Sequence, residues 1–157
     1  VAEPGEGWKL ARTTLANERV AMATTRLSAS TERAVELASA GTLTAAEQVA
    51  VGRAVALSTV CTLLGVRSTL RSLAGQGPGA ESSVAKLLGV RNRQDASELV
   101  VSLQQERLLL VDTTARGEDR FAADVWEMLN TRCLSIAGGT TQILRNVAGE
   151  RILGLPR

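Results

Sequence analysis

Apolar positions in this chain recur at helical spacing over stretches longer than a strand needs. Within residues 44–74, Val49, Ala56, Val60, Leu63 and Leu70 step by seven, four, three and seven, which keeps one helix face apolar at near-heptad spacing. That pattern predicts a seam packed against neighbouring helices. Within residues 80–111, Leu88, Leu99, Leu103 and Leu110 hold a similar stripe, and Arg91-Asn92-Arg93-Gln94-Asp95 fills its gap. The charged run reads either as a solvated or ion-paired helix middle or as a binding patch. Glycine and proline fall between the periodic stretches, at Pro4-Gly5-Glu6-Gly7, Gly41, Gly75-Gln76-Gly77-Pro78-Gly79, Gly117 and Gly138-Gly139. Five helical segments are predicted: 8–40, 44–74, 80–111, 118–135 and 140–152. Together they make an all-α, up-and-down bundle of long helices with a short C-terminal helix, one domain over residues 1–157.

Composition narrows the chemistry. With 45% apolar and 22% charged residues in 157, the chain has the make-up of one soluble globular core. Trp8, Phe121 and Trp126 are its aromatics and it has no Tyr, which disfavours a β-sandwich and base-stacking platforms. The formal net charge is only +2, which disfavours nucleic-acid binding through a charged face, although a sequence pI near 8.9 keeps that reading open. There is no His, so a His-based triad and a His-ligated metal are excluded within the chain. No metal site is expected, and acid–base work falls to carboxylates, Lys or Cys. Lysine occurs at Lys9 and Lys86 alone, so the basic residues are almost all Arg. Cys61 and Cys133 lie far apart without metal-like spacing, which predicts buried thiols in a reducing, cytoplasmic setting. The longest apolar stretch, 54–66, is interrupted by Ser58, Thr59 and Thr62 and is too short to span a bilayer. The chain starts at Val1 without a Met or a basic leader, and it is expected to be a piece of a longer protein.

Glu18 is the chemical oddity. Trp8, Leu15 and Met22 are spaced by sevens, and Glu18 stands three residues after Leu15 and four before Met22, on the apolar stripe. A carboxylate withdrawn from water is disfavoured in its charged form, which suits a proton acceptor working near neutral pH. The same placement equally suits an interhelical ion pair, with Arg19 of another chain or an Arg of this one. Periodicity does not choose between the two.

The last segment, Gly138-Gly139-Thr140-Thr141-Gln142-Ile143-Leu144-Arg145-Asn146-Val147-Ala148-Gly149-Glu150-Arg151-Ile152-Leu153-Gly154-Leu155-Pro156-Arg157, closely resembles the C-terminal end of bacterial acyl-CoA dehydrogenases. In that family a Gly-Thr turn opens a helix and an Ala-Glu-Arg-x-Leu-Gly-Leu-Pro-Arg tail follows. Gly5-Glu6-Gly7-Trp8-Lys9-Leu10 and Thr14-Leu15-Ala16-Asn17-Glu18-Arg19-Val20 resemble the start of the family's C-terminal helical domain. The resemblance implies FAD-dependent α,β-dehydrogenation of an acyl-CoA thioester, with an N-terminal helical domain and a middle β domain missing from this chain. Many members carry the catalytic base as a Glu just before the Gly-Thr turn, a position held by Gly138 in this sequence. Members resembling the isovaleryl and long-chain enzymes place it on the first helix before an Arg, which matches Glu18. By the same resemblance Arg19 lines the thioester pocket, and Thr140 and Gln142 contact the adenosine end of the flavin cofactor while Gly139 permits close backbone approach. Arg19 read from the residues alone is equally an Arg closing an ion pair, and Thr140 equally an ordinary N-cap.

Two family motifs are missing. Residues 40–53 contain no Phe and no Arg before Arg53, where the family has Arg-x-x-Phe-Gly reaching the partner subunit's FAD, and 108–117 stand where a Gly-Gly-x-Gly turn is usual. This pattern resembles the base-bearing subunit of actinobacterial heteromeric acyl-CoA dehydrogenases, some acting on steroid side-chain thioesters, or one half of a fused version. The implied partners are a homologous subunit or fused half and, as electron acceptor, an electron-transfer flavoprotein. Two other readings stay open: a noncatalytic assembly subunit of the same fold, in which Glu18 is structural, and a free-standing Arg-rich helical adaptor for an acidic partner.

Overall fold

The structure, a computed structural model, describes residues 3–22, 28–77, 79–105 and 119–156, and for residues 16–22 the backbone alone. All its regular structure is helical among the described residues, as the periodicity predicts. The segment expected as one helix over 8–40 is two, α1 (Gly7–Met22) and α2 (Ala29–Ala40). Ser28 is the reason α2 starts afresh. Its backbone is extended (φ −68°, ψ 146°), and its hydroxyl accepts the Thr31 N–H at 3.2 Å, an N-cap that a continuous helix could not contain. The Ser28 N–H in turn donates to Ser58 Oγ at 3.3 Å, tying this start to the next helix.

That helix, α3 (Ala45–Leu73), begins where predicted. Thr44 and Glu47 form a reciprocal capping box, and the hydrogen bonds Thr44 donates hold the Glu47 carboxyl below its ordinary range. α4 (Glu81–Ser102) follows the glycine-rich break and ends sooner than the expected 111; Leu110 lies outside the described residues. The segment expected as a helix over 118–135 is α5 (Arg120–Asn130), capped by Asp119, and a 3-10 turn (Thr131–Ser135). α6 (Thr141–Arg151) closes the bundle.

Every other helix packs against α4. A helix enclosed in this way cannot carry bulky residues all round, and its buried positions are Ser83, Lys86, Asn92, Ala96, Ser97, Val100 and Val101. One apolar cluster joins Ala34 of α2, Val51 of α3 and Val100, and a second joins Val101 to Phe121 and Val125 of α5. The expected leucine stripe of α4 is displaced: Leu88, Leu99 and Leu103 flank the buried line and are half-buried. Of the charged run, Arg91 pairs with Asp95 one turn on and Arg93 with Glu127 of α5, while Asn92 is buried and Gln94 donates to the Thr131 carbonyl at 2.9 Å. The ion-paired reading of that run holds. Arg33, Arg71, Arg120 and Arg132 are also paired within the chain.

The seam on α3 needs a larger correction. Val51, Ser58 and Gly65 are its buried positions, whereas Val49, Ala56, Val60, Leu63 and Leu70 are exposed, Leu63 by 63%. Contact with α2 and α4 uses the face of small residues, because close approach of helix axes needs small side chains. The apolar heptad faces away. By length and composition alone α3 could also cross a membrane, which the interrupted run at 54–66 did not suggest; its packed face lies on α2 and α4.

The two faces make opposite predictions for stability. In denaturant unfolding of this chain, Leu63→Ser should change stability by no more than about 0.5 kcal/mol, since the side chain is already wet. Gly65→Leu should cost at least about 1–3 kcal/mol by overpacking the α3–α4 contact. Equal effects would return the seam to the inside of the bundle.

Candidate functional site

After the 3-10 turn the chain reverses through Gly138 (φ 65°) and Gly139 (φ 103°), both in the left-handed region that side chains disfavour. Thr140 then becomes the N-cap of α6, with an extended backbone (φ −61°, ψ 155°) and a hydroxyl that accepts the Ile143 N–H at 3.4 Å. The Thr140 carbonyl takes the Leu144 N–H at 3.0 Å. The N–H groups of Thr141 and Gln142 are thereby left without an intrahelical acceptor, at the positive end of the helix dipole. Fully buried Leu144 anchors α6, which packs on α4. Gly138 is buried, Gly139 and Thr140 are half-buried, and the Gln142 side chain is exposed.

Lys86, absent from the expected site, reaches the turn from α4. Its amino group donates to the Gly139 carbonyl at 2.7 Å and its side chain is 1% exposed. A polar head taken this far from water stands only because it is hydrogen-bonded. The sequence held a signal: Lys86 is the single basic residue in the first turns of a helix otherwise opened by Glu, Ser, Val, Ala and Leu.

Of the expected site residues, Gly139, Thr140 and Gln142 come together in this turn. Glu18 and Arg19 lie in the C-terminal half of α1, and their side chains fall outside the described residues. α1 packs on α4, as α6 does, so α4 carries both elements to which the expected chemistry belongs. The stripe expected to bury Glu18 is not packed along its whole length within this chain. Trp8 is 74% exposed and Leu15 half-buried, while Met22 lies outside the described side chains. The thiols also differ from expectation. Cys61 is half-buried, which raises its pKa by desolvation, but Cys133 is exposed because the three-residue period of the 3-10 turn sends Thr131 inward instead.

The α6 turn has the elements of an anion site: the first N–H groups of a helix, at its positive end, beside glycines that put no side chain in the way. These residues fit a phosphate-bearing cofactor of the kind implied by the family resemblance.

The profile described as "Acyl-CoA dehydrogenase, C-terminal domain" matches residues 5–153. The chain is 46% identical over its whole length to acyl-CoA dehydrogenase FadE34 of Mycobacterium tuberculosis, of which it spans 21%. It is 32% identical to acyl-CoA dehydrogenase IpdE1 of Mycolicibacterium smegmatis, of which it spans 39%. Among solved structures it superposes on the Tcur3481-Tcur3483 steroid ACAD G363A variant with a TM-score of 0.83 at 22% identity, covering 42% of that chain. It superposes on the ChsE4-ChsE5 complex from Mycobacterium tuberculosis with a TM-score of 0.79 at 23% identity, covering 43%. At these identities the two structures speak for the fold, and the family rests on the profile. The chain belongs to the acyl-CoA dehydrogenase family, whose C-terminal helical domain it forms.

Proposed function

We propose that this domain carries the catalytic base of an FAD-dependent acyl-CoA dehydrogenase that introduces an α,β double bond into an acyl-CoA thioester. The observation that carries the reading is the Gly138–Thr140 turn, which keeps the family's Gly-Thr opening of α6 but puts glycine where many members place their base. With no carboxylate at 138, proton removal falls to Glu18 on α1, which matches the other base position known in the family. Glu18 takes the α-proton as the β-hydrogen leaves with its electron pair. Bound FAD supplies the acceptor for that hydride. Arg19 lines the thioester pocket, and Gly139, Thr140 and Gln142 hold the adenosine end of the cofactor through backbone N–H groups and the exposed amide. The substrate class we favour is a steroid side-chain or branched thioester; a solved steroid ACAD shares the fold. Electrons would pass to an electron-transfer flavoprotein in the cytoplasm.

The assembly reading rests on α3. Val49, Val60, Leu63, Val66, Leu70 and Leu73 are all exposed, and an apolar face of that length is an interface. Its occupant is a homologous dehydrogenase bundle, as a separate subunit or a fused half; a neighbour in fold is itself a two-component complex. The missing Arg-x-x-Phe-Gly motif implies that the cross-subunit FAD contacts come from that partner. Substituting Leu63→Arg together with Leu70→Arg should leave the chain's helical circular dichroism intact but abolish co-purification with the partner bundle. Retained association would move the interface elsewhere.

The chain expressed alone should fold as a helical protein without flavin, because the α6 contacts cannot offset the cost of ordering so large a ligand. A yellow preparation with stoichiometric FAD would contradict this. In the complete enzyme, Glu18→Gln should lower turnover by at least about 10² with FAD content and acyl-CoA binding little changed, measured by reduction of an artificial electron acceptor. Near-normal turnover would favour the noncatalytic assembly subunit.

A further inference from the structure

We propose that Lys86 is a positioning residue for the cofactor-facing turn, holding the Gly139 carbonyl so that Thr140 and the first N–H groups of α6 point at an anionic ligand. The inference rests on the reading of α6 as a flavin contact and names the group that sets its aim.

Geometry carries it. Two consecutive glycines with positive φ have the widest conformational freedom a chain can have, and the turn they make needs an external restraint to keep one shape. The 2.7 Å hydrogen bond from Lys86 Nζ falls on the carbonyl of the second glycine, one peptide before the N-cap. That carbonyl belongs to the same peptide plane as the Thr140 N–H, so holding it sets the ψ of Gly139 and the orientation of the plane from which Thr140 enters α6. The restraint comes from α4, the element against which all other helices pack. With 1% of its surface exposed, Lys86 cannot swing out to water or touch a ligand at the α6 turn. Its action on a ligand therefore runs through the turn.

The test uses the complete dehydrogenase that carries this chain, with its partner, stripped of flavin and titrated with FAD by fluorescence quenching. Lys86→Met keeps the stem and removes the donor. It should raise the FAD dissociation constant at least about tenfold, by the usual cost of a lost buried hydrogen bond of this kind. Hydrogen exchange should quicken in peptides covering 138–146 and stay unchanged in α2 and α5. Thr140→Val should also weaken FAD, and the double variant should lose less than the two single losses multiplied, because both act through one turn. Global destabilisation would instead speed exchange everywhere and leave the two effects independent; that outcome overturns the proposal. So does wild-type FAD affinity in Lys86→Met when Thr140→Val and Gln142→Ala are impaired. If neither of those α6 variants affects FAD, the flavin reading of α6 fails, and the proposed aim of Lys86 fails with it. Should Lys86→Met not fold, Lys86→Gln, too short to reach the carbonyl, is put through the same titration and exchange with the same expectation.

Discussion

The enclosure of α4 by all the other helices sets the terms for the rest of the molecule. A helix that every other helix touches keeps only a narrow free face, on which Arg91, Arg93, Asp95 and Glu98 stay exposed; elsewhere Ala96 and Val100 fill close contacts, while Asn92, Ser97 and Lys86 are carried inside. Ser97 bonds back to its own helix at the Gln94 carbonyl, and the neighbouring Gln94 reaches Thr131 and Ser135 in the 3-10 turn. Beyond its end, Gln104 bridges to Asp124, which Arg33 of α2 also grips at 3.2 Å. Such buried contacts are costly to leave half-made, so they specify register as well as stability. A hydrogen bond from Lys86 ties the α6 turn to this helix.

Helix identity and most boundaries were legible because Thr44, Asp119 and Thr140 are residues whose side chains replace missing backbone acceptors, and the chain places them beside periodic runs. The division between α1 and α2 was readable too. Ser28 with Glu32 in the first turn is a helix-start pattern, hidden by the apolar spacing that continues on either side. Which face of α3 lies inside was not readable, since hydropathy ranks Leu63 above Gly65 while axis-to-axis packing ranks them the other way. A sequence reports that a face will be covered, and whether its cover is the same chain or another is a fact of assembly. The turn at 138–140 was legible as a motif, whereas its restraint by Lys86 was not, because 53 residues separate donor from acceptor.

Seen together, the small-residue face of α3 and the wet apolar face opposite divide labour along one helix. The first joins the helix to its own bundle, and the second is the face on which we propose that a homologous bundle docks. Intrachain ion pairs such as Arg93–Glu127 and Arg71–Glu81 consume charge that would otherwise decorate the surface.

Gly138 sets a constraint. Its backbone sits at φ 65° inside a buried turn, a geometry that costs any residue with a Cβ on the order of 1–2 kcal/mol. A side chain introduced there, a carboxylate included, would meet both that backbone and the buried surroundings of the turn. The position is therefore tied to glycine by the shape of the turn that Lys86 helps to hold, whatever chemistry the neighbouring helices carry.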